Sequence, residues 1–130
     1  MAKRILLVSG KPERYQEIES GFRNDPEVKL HSAASLAQAE KVMASDRFGM
    51  GDLVILDEMI DGRPALDAAK KIVLKNAFVY LAVFSDLPAD RFHEVAEGLG
   101  ILAQVPSRPT EADFNALMQR WNAASAVSGG

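Results

Sequence analysis

The side chains that could do chemistry in this 130-residue chain stand where short apolar runs end. Asp57 directly follows the run 53–56, and Ser85 and Asp86 follow a run that ends at residue 84. A carboxylate at such a position can serve as a nucleophile or as a ligand for a hard cation. If the runs are neighbouring strands, their ends form one polar site. The other polar residues at these junctions are Ser9, Gly10, Lys11 and Arg108.

The elements that would position these residues alternate along the chain. The runs expected as strands are residues 5–8, 28–31, 53–56, 77–84 and 101–105. Between and after them, apolar residues recur at helical spacing. This alternation predicts an α/β fold, in which a doubly wound, five-stranded parallel sheet lies between two helical layers. The expected helix faces are Tyr15, Ile18 and Phe22; Leu36, Ala39 and Met43; Leu66, Ala69 and Val73; Phe92, Val95 and Leu99; and Phe114, Leu117, Met118 and Trp121.

Local signals mark two helix starts and the end of the domain. Ser35 with Gln38 has the form of a capping box, and Thr110 with Asp113 is expected to open the last helix. We expect residues 1–122 to form one domain. The small and polar residues 123–130 predict a flexible tail, a linker or an artificial end rather than structure.

Composition limits the classes of function. The chain is 48% hydrophobic and 25% charged, which is typical of a globular protein. Its formal charge of −3 gives no electrostatic reason to bind nucleic acid or an anionic membrane, and the absence of cysteine excludes thiolate metal sites. The apolar runs are too short to span a bilayer and the N-terminus lacks the pattern of a signal peptide, so we expect a cytoplasmic protein.

Two segments resemble the receiver domains of response regulators. LVILDEMIDGRPAL, residues 53–66, is similar to their third strand and following loop, and KRILLVSGKPE, residues 3–13, is similar to their first strand and turn. The match places Asp57 at the phosphoacceptor, with Met59, Gly62 and Leu66 at the family spacing, whereas Asp61 replaces a proline. The resemblance covers about residues 3–122 and implies a flavodoxin-like fold of the receiver type.

The resemblance also implies which groups should hold Mg²⁺, the ion that offsets the charge of an incoming phosphoryl group. In receivers these are acidic residues after the first strand, the acceptor itself and a backbone carbonyl two residues later. Here Ser9 and Gly10 replace the acids, which leaves Asp57 and the carbonyl of Met59. We therefore predict weak Mg²⁺ binding unless a further carboxylate turns inward. The candidates for that role are Glu13, Glu58 and Asp86.

Three more positions follow from the resemblance, each with an alternative. Ser85 matches a hydroxyl that contacts the phosphoryl group, but a strand-end serine can equally cap the next element. Asp86 stands where the family has a small residue. The family lysine falls on Ser107 by count, whereas Arg108, which precedes a proline as that lysine does, is the better match and can bind an oxyanion. The alternative is a solvated arginine.

We interpret the chain as a receiver-like signalling domain of a two-component phosphorelay, not an enzyme, with weak or no Mg²⁺-dependent phosphorylation of Asp57. The resemblance places its partner, a histidine kinase, a phosphotransfer protein or an output domain, on the face of the fourth helix, fifth strand and fifth helix. Two alternatives stay open. One is a functional phosphoreceiver with unusual metal ligands. The other is a small-anion or nucleotide module that uses Ser9, Gly10 and Lys11 at a helix N-terminus.

Overall fold

A parallel sheet is the centre of the molecule in a computed structural model that describes residues 3–11, 16, 28–76 and 78–128. In chain order the elements are β1 (Lys3–Val8), β2 (Val28–Ala33), α1 (Leu36–Ser45), β3 (Leu53–Leu56), β4 (Met59–Ile60), β5 (Arg63–Pro64), α2 (Ala65–Lys75), β6 (Tyr80–Phe84), α3 (Ala89–Val95), β7 (Ile101–Val105) and α4 (Glu111–Ser128). In these ranges no helix combines the length and the apolar character needed to cross a bilayer.

The five long strands lie in the order β2-β1-β3-β6-β7, and every neighbouring pair is parallel. Since successive residues of a strand point to opposite faces, the strands contribute side chains to two separate hydrophobic cores, one on each face of the sheet. Leu6 and Val54 belong to one core, whereas Ile5 and Ile55 belong to the other. Burial on both faces explains why β3 and β6 are continuous apolar runs, whereas the edge strand β2 (VKLHSA) is only partly buried and alternates.

Helices cover both faces of the sheet. Ala39 of α1, Ile72 of α2 and Phe92 of α3 are buried in the first core, and Leu117 and Trp121 of α4 are buried in the second. The predicted three-layer, doubly wound architecture is therefore confirmed, and the stripe on the last helix is core. The first predicted helix lies among residues 12–15 and 17–27, outside the described residues.

Both predicted capping signals are confirmed. The Gln38 amide donates to Ser35 Oγ over 3.1 Å, and Gln38 Oε1 accepts from the Ala34 amide over 2.7 Å. At the last helix the Thr110 amide donates to Asp113 Oδ2 over 2.9 Å, and the Asp113 amide donates back to Thr110 Oγ1 over 3.3 Å. Each reciprocal pair satisfies amides that have no partner inside the helix.

Two predicted boundaries are wrong. The fourth long strand begins at Tyr80, not at residue 77, because pairing with β3 starts where Tyr80 lies opposite Leu53. Phe78 lies in a turn before it. The expected unstructured tail is helical as far as Ser128. Alanine-rich sequence favours the helix, and the Tyr80 hydroxyl donates to the Ala124 carbonyl oxygen over 3.1 Å.

Asp52 is a buried carboxylate that the sequence analysis did not identify, and it ties the starts of β1 and β3 together. Its Oδ1 accepts from the Arg4 amide over 3.2 Å, and its Oδ2 accepts from the Gly49 amide over 2.9 Å. The Arg4 guanidinium lies 3.6 Å from Oδ2. The Asp52 side chain therefore has a structural role at the amino-terminal ends of the strands, whereas the polar loops lie at their carboxyl ends.

Replacing Asp52 with alanine should lower the free energy of unfolding by about 1–3 kcal/mol, since it leaves two partly buried amides without an acceptor. Urea denaturation followed by far-UV circular dichroism measures the change. Glu94→Ala, which removes an exposed carboxylate from α3, is the matched control and should change stability by less than about 0.5 kcal/mol. Equal losses in the two variants would contradict the structural role of Asp52.

Candidate functional site

The candidate site lies at the topological switch point of the sheet, where the chain has added β2 on one side of β1 and then adds β3 on the other side. β1 thus lies between β2 and β3. Such a switch point leaves a crevice at the carboxyl ends of the strands, and ligands bind there in open α/β sheets. The backbone pairing continues past the strands, because the Ser9 amide donates to the Ala33 carbonyl oxygen and the Asp57 amide donates to the Val8 carbonyl oxygen, each over 2.9 Å. Ser9 and Asp57 are thereby held side by side.

Asp57 and Ser9 form a buried pair at this crevice, with exposures of only 4% and 3%. The Ser9 hydroxyl donates to Asp57 Oδ2 over 2.7 Å and accepts from the Lys11 amide over 3.0 Å. The Glu58 amide donates to Asp57 Oδ1 over 2.8 Å. Since the hydroxyl both donates and accepts, its orientation is fixed, and both oxygens of Asp57 receive neutral donors.

The loop after Asp57 contains a small antiparallel hairpin that the sequence analysis missed. β4 and β5 pair through Ile60 and Arg63, and the turn between them has φ angles of 55° at Asp61 and 75° at Gly62. Two left-handed residues in succession define a type I′ turn, for which Asp-Gly is a strong sequence signal. That dipeptide could have revealed the hairpin.

The hairpin fixes the position of Met59. Met59 lies opposite Pro64, between the pair Ile60–Arg63 at the turn and the Ala65 amide, which donates to the Glu58 carbonyl oxygen. Because hydrogen-bonded and non-hydrogen-bonded pairs alternate in an antiparallel ladder, Met59 and Pro64 form a non-hydrogen-bonded pair. In such pairs the backbone carbonyl points away from the partner strand. The Met59 carbonyl is therefore directed away from β5, and its side chain is half-exposed.

The second polar junction joins two loops through Asp86 and Ser107. The Ser107 amide donates to Asp86 Oδ1 over 3.0 Å, and the Ser107 hydroxyl donates to Asp86 Oδ2. Ser107 is buried. In the sequence only the count along the chain points to this residue, since no motif marks it. These contacts tie the loop after β6 to the loop after β7. Asp86 stands where the resemblance implies a small residue, and Ser107 is the position that the count gives for the family lysine, although Arg108 is the better match.

The remaining predicted residues lie around these two pairs. Ser85 is partly buried, and its hydroxyl accepts from the Leu87 amide over 3.2 Å, which is a capping contact within the loop. Gly10, Lys11 and Arg108 are exposed. The structure therefore brings together Ser9 and Asp57, and separately Asp86 and Ser107.

The described residues do not fit a Mg²⁺ site of the receiver type. They contain no group of three metal-ligating side chains. Asp57 has a serine hydroxyl where a second carboxylate would be needed, and Asp86 is exposed and bonded to Ser107. Hard cations bind through several oxygens, of which carboxylates supply the compensating charge. Glu13, one of the acids expected to compensate, lies outside the described residues.

The anion-binding alternative also involves the N-terminus of the first predicted helix, which lies outside the described residues. It requires donors after the first strand that are available to a ligand. The Ser9 hydroxyl donates to Asp57, and the Lys11 amide donates to Ser9 Oγ. Both donors are therefore engaged within the protein.

Several solved structures with the same architecture are described as receiver domains or response regulators. The signal receiver domain of an HD domain-containing protein from Pseudomonas fluorescens superposes with a TM-score of 0.78 at 18% identity, covering 98% of this chain and 93% of that one. A two-component response regulator from Clostridium difficile gives 0.70 at 18% identity, covering 92% and 98%. An adenylate cyclase from Rhodopirellula baltica gives 0.73 at 13% identity, covering 99% and 96%.

No protein-family model and no curated protein matches the sequence. The structural similarity extends over nearly the whole chain. The order of the five long strands is the one typical of flavodoxin-like folds. The chain therefore has the flavodoxin-like fold of response-regulator receiver domains, as its sequence predicts.

Proposed function

We propose that this chain is an atypical receiver domain of a cytoplasmic two-component pathway, a signalling module rather than an enzyme. In this proposal Asp57 occupies the phosphoacceptor position but takes a phosphoryl group weakly or not at all. The domain acts by binding another signalling protein. Support comes from the receiver fold and from the buried position of Asp57 at the end of β3.

The observation that carries the proposal is the hydrogen bond of 2.7 Å between Ser9 and Asp57. A phosphodonor and an ionised carboxylate are both anions, so their approach requires a cation at the acceptor. The Ser9 hydroxyl is neutral and offsets little of that charge. The described residues contain no group of three metal-ligating side chains that could anchor such a cation. The barrier to phosphorylation therefore stays high.

The tie between Asp86 and Ser107 supports the same proposal. A carboxylate at position 86 repels an incoming phosphoryl group, and its two contacts with Ser107 hold the loops after β6 and β7 in one arrangement. A phosphoryl group on Asp57 could shift the domain between two conformations only if it made more favourable contacts in one of them than in the other. In this proposal the source of that difference is weak, because the Ser9 hydroxyl and the Glu58 amide, which donate to Asp57, are neutral.

The partner surface in this proposal is the face formed by α3, β7 and α4, which correspond to the fourth helix, fifth strand and fifth helix of the sequence prediction. A groove of about 510 Å³ lies there, with Phe92 on α3, Ala103 on β7 and Leu117 on α4 among its lining residues. His93, Gln104 and Arg120 also line it. An apolar floor with polar residues around it is the usual anatomy of a protein interface.

Incubation with a low-molecular-weight phosphodonor and Mg²⁺, followed by intact-mass spectrometry, tests the proposal. We expect a substoichiometric phosphoryl adduct or none, at a rate no greater than that of Asp57→Asn, because the cation needed at the acceptor binds weakly. A receiver with a complete acidic pair, treated in parallel, shows that the donor is active.

A stoichiometric adduct that requires Mg²⁺ and is lost in Asp57→Asn would overturn the proposal. It would favour the alternative of a functional phosphoreceiver with unusual metal ligands. An adduct that persists in Asp57→Asn would instead identify a different acceptor and count against Asp57 as the site.

A further inference from the structure

A second groove lies next to the groove on the face of α3, β7 and α4 and shares one lining residue with it, Phe92. It runs between the β4–β5 hairpin and the loop from β6 to α3, and its volume is about 410 Å³. Its floor is apolar and includes Leu66 of α2 and Phe92 of α3. Met59 and Leu87 also line it, although they are 51% and 44% exposed. We refer to it as the Met59–Leu87 groove.

The two walls of the Met59–Leu87 groove are fixed by hydrogen bonds. On the hairpin side the Ala65 amide donates to the Glu58 carbonyl oxygen over 3.0 Å, and the Leu36 amide of α1 donates to Asp61 Oδ2 over 3.2 Å. On the loop side the Gln104 side-chain amide donates to the carbonyl oxygens of Ser85 and Leu87, over 3.1 and 2.7 Å. The groove is therefore preformed, which lowers the entropic cost of filling it.

The charged residues that line the groove are all acidic. Glu58 belongs to the hairpin wall and Asp86 to the loop wall, and no lysine or arginine is among the described lining residues. A partner that inserts an apolar side chain between these walls brings its flanking residues close to Glu58 and Asp86. Positive flanking residues would be attracted there, and negative ones repelled.

We infer that the Met59–Leu87 groove docks a segment of a partner protein in which an apolar, preferably aromatic, side chain is flanked by arginine or lysine. The apolar side chain lies against Met59, Leu87 and Phe92, and the cations lie beside Glu58 and Asp86. The inference does not depend on whether Asp57 takes a phosphoryl group. It concerns a groove that shares only Phe92 with the groove of the partner face proposed above.

Capped heptapeptides titrated into the isotope-labelled domain test this inference by NMR. The probe has the sequence Gly-Arg-Arg-Phe-Arg-Arg-Gly. One control replaces its phenylalanine by alanine, and a second replaces its arginines by glutamate. We expect the probe to bind with a Kd below about 1 mM, with amide shifts confined to the groove, and both controls to bind at least about tenfold more weakly.

A matched pair of variants localises the binding. Leu87 and Val95 are each 44% exposed, but Val95 lies outside the groove. Leu87→Gln should raise the Kd of the probe about fivefold or more, whereas Val95→Gln should leave it within about twofold. Both positions are exposed enough that the fold should persist, which the spectra of the free variants check.

The acidic walls are tested by the double variant Glu58→Gln, Asp86→Asn. It should weaken the arginine probe and reduce the loss of affinity on adding salt. Equal binding of the phenylalanine and alanine peptides, equal effects of Leu87→Gln and Val95→Gln, or no binding of the probe at millimolar concentration would each overturn the inference. None of these results bears on the phosphorylation test of Asp57.

Discussion

Replacing Ser9 and Gly10 by aspartate should give this domain a strong dependence on Mg²⁺. A carboxylate at position 9 would stand beside Asp57, because the Ser9 hydroxyl is 2.7 Å from Asp57 Oδ2 and both residues are buried. Two such charges about 4 Å apart repel by about 4 kcal/mol at the effective dielectric of a protein surface. The double variant should therefore be less stable without a metal ion and regain stability when the ion is added.

The local backbone allows this change. A Cβ atom at Gly10 would be 3.9 Å from its nearest neighbour, the Ala34 carbonyl oxygen, which is an ordinary contact. At a Mg²⁺ concentration about 100 times its Kd, binding adds about 2.7 kcal/mol. For a domain of this size that raises Tm by roughly 10 °C. Thermal unfolding with Mg²⁺ and with EDTA measures the shift.

The control is the double variant Ser9→Ala, Gly10→Ala, which removes the hydroxyl and adds no charge. It should respond to Mg²⁺ as weakly as the unaltered chain. If the unaltered chain gains as much stability from Mg²⁺ as the aspartate variant does, the described residues do not account for its metal binding, and the explanation based on Ser9 is wrong.

Replacing Trp121 with alanine should cause the largest loss of stability of the changes proposed for this protein, about 3–5 kcal/mol. Trp121 is fully buried in the core between the sheet and α4, and its indole Nε1–H donates to the Gly51 carbonyl oxygen over 2.8 Å. The Lys3 ammonium lies 4.9 Å from the centre of its ring. The variant loses all three interactions and leaves a cavity. Since a domain has only about 5–15 kcal/mol in total, it should be close to unfolding.

Urea denaturation followed by far-UV circular dichroism measures this loss, since the variant lacks the only tryptophan of the chain. Trp121→Phe is the matched control. It keeps most of the apolar ring and removes the hydrogen bond to Gly51, so it should lose less, about 1–3 kcal/mol. A loss below about 1 kcal/mol in Trp121→Ala would show that α4 contributes little to the core.

The sequence predicted the architecture well because the relevant signals are local and periodic. A strand that is buried on both faces must be apolar at every position, as residues 53–56 are, and a helix on one face must be apolar at every third or fourth position, as Leu117 and Trp121 are. The boundaries were less certain. Phe78 is as apolar as the strand after it, and only the pairing of Tyr80 with Leu53 shows where that strand begins.

The sequence by itself determined the five parallel strands and the placement of Asp57 at the end of one of them. It also showed that neutral residues, Ser9 and Gly10, follow the first strand, because identity and order along the chain require no coordinates. The tertiary structure alone decided which side chains meet. The bond between Ser9 and Asp57 joins residues 48 positions apart, and the tie between Asp86 and Ser107 joins residues 21 apart. Hydrogen bonds form over about 3 Å, so they depend on how strand ends are juxtaposed in the sheet, which spacing along the chain does not specify.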